Sequence, residues 1–208
     1  MGDPSEERRQ VLHYAAVHGR ADLISLAIEQ ELTADGNTAE AVKSLLAWQN
    51  GEKGTALHEA SRAGHVDVVR LLLLRGAPAD AQDVRGQSAY QVAAAEGPAN
   101  KLAQVQAAFK AELFKRCAQG DLAGAEALAL GGVDLNGDQA GYTPWAWAEL
   151  FGQTEVAQRI QELVSEQSEQ EVQQQERTGS RMSSTSSRSD HVVEPERLVQ
   201  CAVPERGG

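Results

Sequence analysis

The fold predicted by this sequence is all-α: a solenoid of about five stacked helix-pair units with short hairpin loops. Three observations predict it. The chain of 208 residues is 41% hydrophobic but only 4% aromatic, and its apolar content leans on Ala and Leu, which favour helices. Glycines punctuate it at Gly19, Gly64, Gly97, Gly120 and Gly152, at spacings of 45, 33, 23 and 32 residues. Each follows a short apolar or Ala-rich run, and residues 55–77 read as two short helices that meet at such a glycine.

The first unit carries Leu12-His13-Tyr14-Ala15 ahead of Gly19. Its extra length lies in residues 30–48, where 38–47 is a helical stretch capped near Asn37 or Thr38. In the second unit Thr55 is a suitable N-cap. Gly64 ends the first helix, because a missing Cβ permits the left-handed turn. The second helix carries Val66, Val68, Val69, Leu71, Leu72 and Leu73, and Arg75-Gly76 closes it. Residues 80–86 then form an extended turn. The third and fourth units are degenerate. From Gly97-Pro98 to Phe109 the chain runs on without room for a full hairpin, which predicts a fused or shortened third repeat. The fifth unit is residues 141–152 with the helix that follows, whose Val156, Ile160, Leu163 and Val164 sit at helical spacing. A helix pair hides only one face, so several units must stack to make one core.

These residues resemble the ankyrin repeat. The family pattern Gly-x-Thr-Pro-Leu-His-x-Ala has a counterpart in Thr55-Ala56-Leu57-His58-Glu59-Ala60 and another in Gly141-Tyr142-Thr143-Pro144-Trp145-Ala146-Trp147-Ala148. The resemblance covers roughly residues 9–164. It implies a structural role for His58 and for His13, as bridges between helix and hairpin. It also implies partner binding through hairpin tips and exposed first-helix positions. Carried onto this chain, the tips are Glu52, Lys53, Asp83, Val84, Arg85 and Gln139. The first-helix positions are Val17 and His18, Arg62 and Ala63, Ala95 and Glu96, Ala118 and Gln119, and Leu150 and Phe151. Trp145 replaces a buried Leu of the pattern and is expected in the core. Trp147 and Phe151 either cover the last repeat or act as exposed anchors, since exposed aromatics are enriched at binding hot spots.

Chemistry-bearing motifs are missing. No phosphate loop, no strand-anchored Gly-x-Gly-x-x-Gly and no Gly-x-Ser-x-Gly elbow occurs; Gly51-Glu52-Lys53-Gly54-Thr55 reads as a hairpin tip. His13 and His18 lack a third ligand, and Cys117 and Cys201 form no metal-ligand spacing or disulfide framework. An enzyme, a cofactor and a metal are therefore not expected. The net charge of −11 disfavours direct nucleic-acid binding. No apolar run reaches membrane-spanning length, and neither a secretory signal nor lipidation is expected. The chain is expected to be intracellular, cytoplasmic or nuclear, and monomeric by itself.

Residues 1–8 are expected to be a flexible N-terminus, 9–164 the repeat domain and 165–208 a Gln/Glu- and Ser-rich disordered tail, with the last helix fraying near Gln175. The Ser/Arg pattern of 180–189 would suit phosphorylation or a passive spacer. The terminal Gly207-Gly208 has no ubiquitin-like fold behind it. The function expected is a non-catalytic adaptor or regulator that binds a partner protein of unspecified identity in its groove. The alternatives are an assembly subunit or chaperone-like factor, and a regulatory fragment of an enzyme.

Overall fold

The computed structural model describes residues 4–34, 39–136 and 141–183. The chain divides into two units, residues 1–167 and 168–208. Among the described residues the structure consists of α1 (Pro4–Val17), α2 (Ala21–Ala34), α3 (Ala39–Leu46), α4 (Ala56–Ala63), α5 (Val66–Leu74), α6 (Ala89–Glu96), α7 (Ala99–Gln119), α8 (Leu122–Leu130), α9 (Pro144–Leu150) and α10 (Thr154–Ser183). The only β feature among them is an isolated antiparallel bridge between Gln82 and Ser88. In the second unit, the described residues continue the helical backbone of α10 to Ser183.

Among the described residues of the first unit five helix pairs are visible, α7 belonging to two of them. The first helices α1, α4 and α6 pack in sequence, and α5 packs on α7. Small residues let the first helices approach: Ala15, Ala16, Ala56, Ala60, Ala89 and Ala93 are all buried. Leu57, Val68, Leu72 and Ile24 fill the layer between them, each worth about 1.5–3 kcal/mol for its burial. Phe109, also fully buried, meets Tyr90 edge-to-face at 5.6 Å.

A repeated contact holds neighbouring units in register. A Cβ on Gly19 would lie 2.6 Å from His65, one on Gly64 2.5 Å from Pro98, and one on Gly120 2.5 Å from Gln153. In each case the glycine that ends one first helix abuts the residue after the matching glycine of the next unit. Gly64 and Gly120 also have φ of +71° and +77°, where a side chain is strained. The contact is absent between the third and fourth units. Gly97 has an ordinary φ of −68°, and α7 runs unbroken for 21 residues. Only 23 residues separate Gly97 from Gly120, too few for a second helix, a hairpin and another first helix. One helix serves both roles. Its start lies under Gly64 and packs along α5, whereas its end, with buried Leu113, Phe114 and Cys117, packs on α8 and α9. Arg116 secures the crossing by donating to Glu112, Asp121 and the Leu73 carbonyl.

Two helix limits differ from the sequence reading. α1 takes in Pro4–Arg8, within the stretch expected to be flexible. Pro at the start and Glu6 and Glu7 in the first turn suit a helix N-terminus. Arg8 then ties it down through a mostly buried ion pair with Glu31 of α2 at 2.5 Å. α10 continues past Gln175 to Ser183, because its Gln, Glu and Arg residues are good helix formers without needing a core. Asn37, Thr38 and Gln139 lie outside the described residues, as do 184–208, including Arg188, Ser189, Cys201 and the disorder expected there.

Candidate functional site

The hairpins and the ends of the first helices are built by side chains that close local turns. Asn50 Oδ1 accepts from the N–H groups of Glu52 and Gly54, each at 2.9 Å. This turn places Lys53 at φ +55° and leaves Glu52 and Lys53 exposed. In the next hairpin Asp83 Oδ1 accepts from Arg85 N–H at 2.8 Å and Gln87 N–H at 3.0 Å. Val84 N–H donates to the Glu52 carbonyl at 3.1 Å, which ties one hairpin to the next.

Two histidines anchor this row. The Thr55 N–H donates to His58 Nδ1 at 3.1 Å, so the ring proton sits on Nε2 and donates to the Gln87 carbonyl at 3.1 Å. His13 Nε2 lies 3.4 Å from the Trp48 carbonyl, the corresponding link one unit earlier. Burial lowers both imidazoles below their ordinary pKa, which keeps them neutral. Both are structural bridges, as the resemblance implies.

The structure distributes the sequence-predicted contact residues into three groups. In the middle, Arg62 donates to Glu59 at 2.9 Å and to Glu96 at 2.7 Å, and Arg85 also pairs with Glu96. The Arg62 hydrogen bond, helped by Arg85, holds the Glu96 carboxyl below its ordinary pKa. Asp83, expected as a tip contact, is instead buried at 7% exposure. Burial alone would raise its pKa, but the N–H donors of Gln87 and Arg85 outweigh it and lower it. Its carboxylate belongs to the turn.

At the far end Trp147 sits between Phe114, Tyr142 and Phe151, with ring centroids 5.9, 5.9 and 5.5 Å away. Trp147 is half-buried, while Leu150 and Phe151 are 61% and 52% exposed. Trp145, expected in the core, is half-buried against it, and Gln119 is exposed. At the near end His18 is exposed, with its ring 4.2 Å from that of Tyr14. Tyr14 is itself 59% exposed. Beside it lies a cavity of about 450 Å³ whose lining includes His13, Tyr14, Trp48, Glu52 and Glu59. Tyr14 and Trp48 were not among the contacts drawn from the sequence. The only hint there is that both are aromatic in an aromatic-poor chain.

Among the described residues no group of His, Cys, Asp and Glu is placed to hold a metal ion, and no helix is long and apolar enough to cross a membrane. Cys117 is buried, and burial pushes its thiol up to about 12, so it is not a nucleophile at neutral pH.

Residues 31–107 match the family model described as ankyrin repeats, three copies. The chain is also 34% identical over 92 residues to the palmitoyltransferase Hip14 of Drosophila melanogaster, a stretch covering 44% of this chain and 13% of that protein. Ankyrin repeats are non-catalytic modules that bind proteins, and they are found here as the stacked helix pairs and bridging histidines just described. Residues 31–107 of this chain are thus ankyrin repeats.

Proposed function

We propose that the chain is an adaptor or regulator without catalytic activity of its own, which holds a partner protein against the face formed by its hairpins and first helices. The observation that carries this reading is the contrast along that face. Its centre is closed by the Arg62, Glu96 and Arg85 pairs, whereas apolar and aromatic side chains stand exposed at both ends, Tyr14 and Val17 at one and Leu150 and Phe151 at the other. Exposed aromatic residues flanked by a satisfied polar region are what a binding anchor requires. The stretch 9–164 is the binding domain in this reading, and 165–208 is an appended tail. An intracellular location, cytoplasmic or nuclear, suits a chain with buried, unpaired Cys117. The small share of Hip14 that is matched carries no activity over to this chain.

The test is affinity capture with the full chain beside a variant carrying Leu150→Ser and Phe151→Ser, followed by cross-linking to locate the contact. A partner cross-linked to the hairpin and first-helix face, and weakened by the variant, supports the reading. A partner that cross-links only within 168–208 overturns it.

A further inference from the structure

We propose that the cavity between α1, Trp48 and the hairpin at residues 50–54 is a receptor for a cationic side chain, lysine or arginine, presented by the partner protein. This rests on the reading of the face as a partner-binding surface and specifies the chemistry at one end of it.

Two aromatic side chains line the cavity. Tyr14 is 59% exposed. Trp48 is held by His13, whose ring lies 4.9 Å from its own at an interplanar angle of 88° and whose Nε2 lies 3.4 Å from its carbonyl. The face of such a ring attracts a cation through its quadrupole. The charges in the lining favour the same occupant. Glu59 has both oxygens engaged, one by Asn50 Nδ2 at 3.2 Å and one by Arg62 at 2.9 Å. Arg62 is shared further with Glu96 at 2.7 Å, so its charge is compensated within the protein. Glu52 is the remaining charged group of the lining. It is exposed, and no ion pair to it is formed among the described residues. His13 adds no positive charge, because its burial keeps the imidazole neutral. An entering cation therefore meets two aromatic side chains and one carboxylate that has no ion pair among the described residues. An anion would be repelled by the same Glu52 carboxylate, and a purely aliphatic side chain would leave Glu52 without a partner. The chain's net charge of −11 draws positively charged segments toward it over a longer range.

The proposal is tested by titrating the full chain with three capped pentapeptides that differ only at the middle residue: lysine, arginine or norleucine. The signals followed are the Trp48 indole and Tyr14 ring resonances. Lysine and arginine probes are expected to shift both at millimolar concentration, and added salt to weaken them. Glu52→Gln should weaken binding about three-fold, the scale of an exposed ion pair. Tyr14→Leu should weaken it about two- to five-fold, the scale of one exposed cation–π contact. Both residues are exposed, so neither variant threatens the fold. Equal binding of norleucine, no shift with any probe, or shifts confined to the cluster around Trp147 would each overturn the proposal. A partner captured by the full chain that is lost on changing Leu150 and Phe151 but unaffected by Glu52→Gln would leave the interaction surface standing and remove the cation receptor.

Discussion

Arg62 of α4 donates to Glu96 of α6 across 2.7 Å. The two residues are 34 positions apart in the chain, Arg62 two residues before Gly64 and Glu96 one residue before Gly97. Each is a surface position that a partner could use, and each is occupied by the other. The pair, extended by Arg85, clamps the second unit to the third on the side of the hairpins and first helices, while the Gly64–Pro98 contact does so at the end of the helix.

The clamp should be measurable as a coupling energy. Both side chains are about a quarter exposed, so a double-mutant cycle of Arg62→Ala and Glu96→Ala in urea unfolding should give about 0.5–1 kcal/mol. A coupling indistinguishable from zero would mean that the pair is geometric only.

The glycine contacts should differ in sensitivity. Gly64 and Gly152 share the left-handed conformation, at φ +71° and +75°, but a Cβ on Gly64 would meet Pro98 while one on Gly152 would meet nothing within 4 Å. Each Gly→Ala change should carry the backbone cost of about 1–2 kcal/mol. Gly64→Ala should cost about 1 kcal/mol more, because the rigid proline ring cannot move aside. Comparing thermal midpoints of the two variants checks this.

The hairpin turn at Asp83 should tolerate little. Asp83→Ala leaves the N–H groups of Arg85 and Gln87 without their acceptor, which should cost about 1–3 kcal/mol. Asp83→Asn, which retains an acceptor oxygen, should recover most of it. Denaturation midpoints of both variants decide the matter, and a neutral Asp83→Ala would reassign the carboxylate to binding.

Stability should fall on mild acidification. His13 and His58 have folded-state pKa values lowered from 6.5, so the unfolded chain takes up the proton first. Their stabilisation is complete above 6.5 and is lost as pH falls below it toward the folded values. The lowered carboxyls of Asp83, Glu96 and Asp121 act in a separate, more acidic window, below about pH 4. Urea midpoints measured between about pH 7.5 and pH 5.5 should drop for the natural chain. The slope should be shallower for His58→Gln, whose overall stability is reduced by the lost bridge to Gln87.

The repeat character of the protein was legible in local sequence. Thr55 to Ala60 specifies a capped helix, the 33-residue step from Gly64 to Gly97 specifies a stacked neighbour, and the 23-residue step to Gly120 announces the fusion that α7 realises. These features depend on the conformational preferences of nearby residues and on hydrophobic period, which a linear chain displays directly. Which surface groups remain available for a partner was decided only by the tertiary structure. Stacking brings Arg62 to Glu96 and consumes both, turns Asp83 inward, and carries Tyr14 to the same cavity as Trp48 and Glu52. The meeting of Arg62 with Glu96 and of Tyr14 with Trp48 joins residues separated by a whole repeat, and its geometry follows from how the units pack rather than from any property of the residues between them.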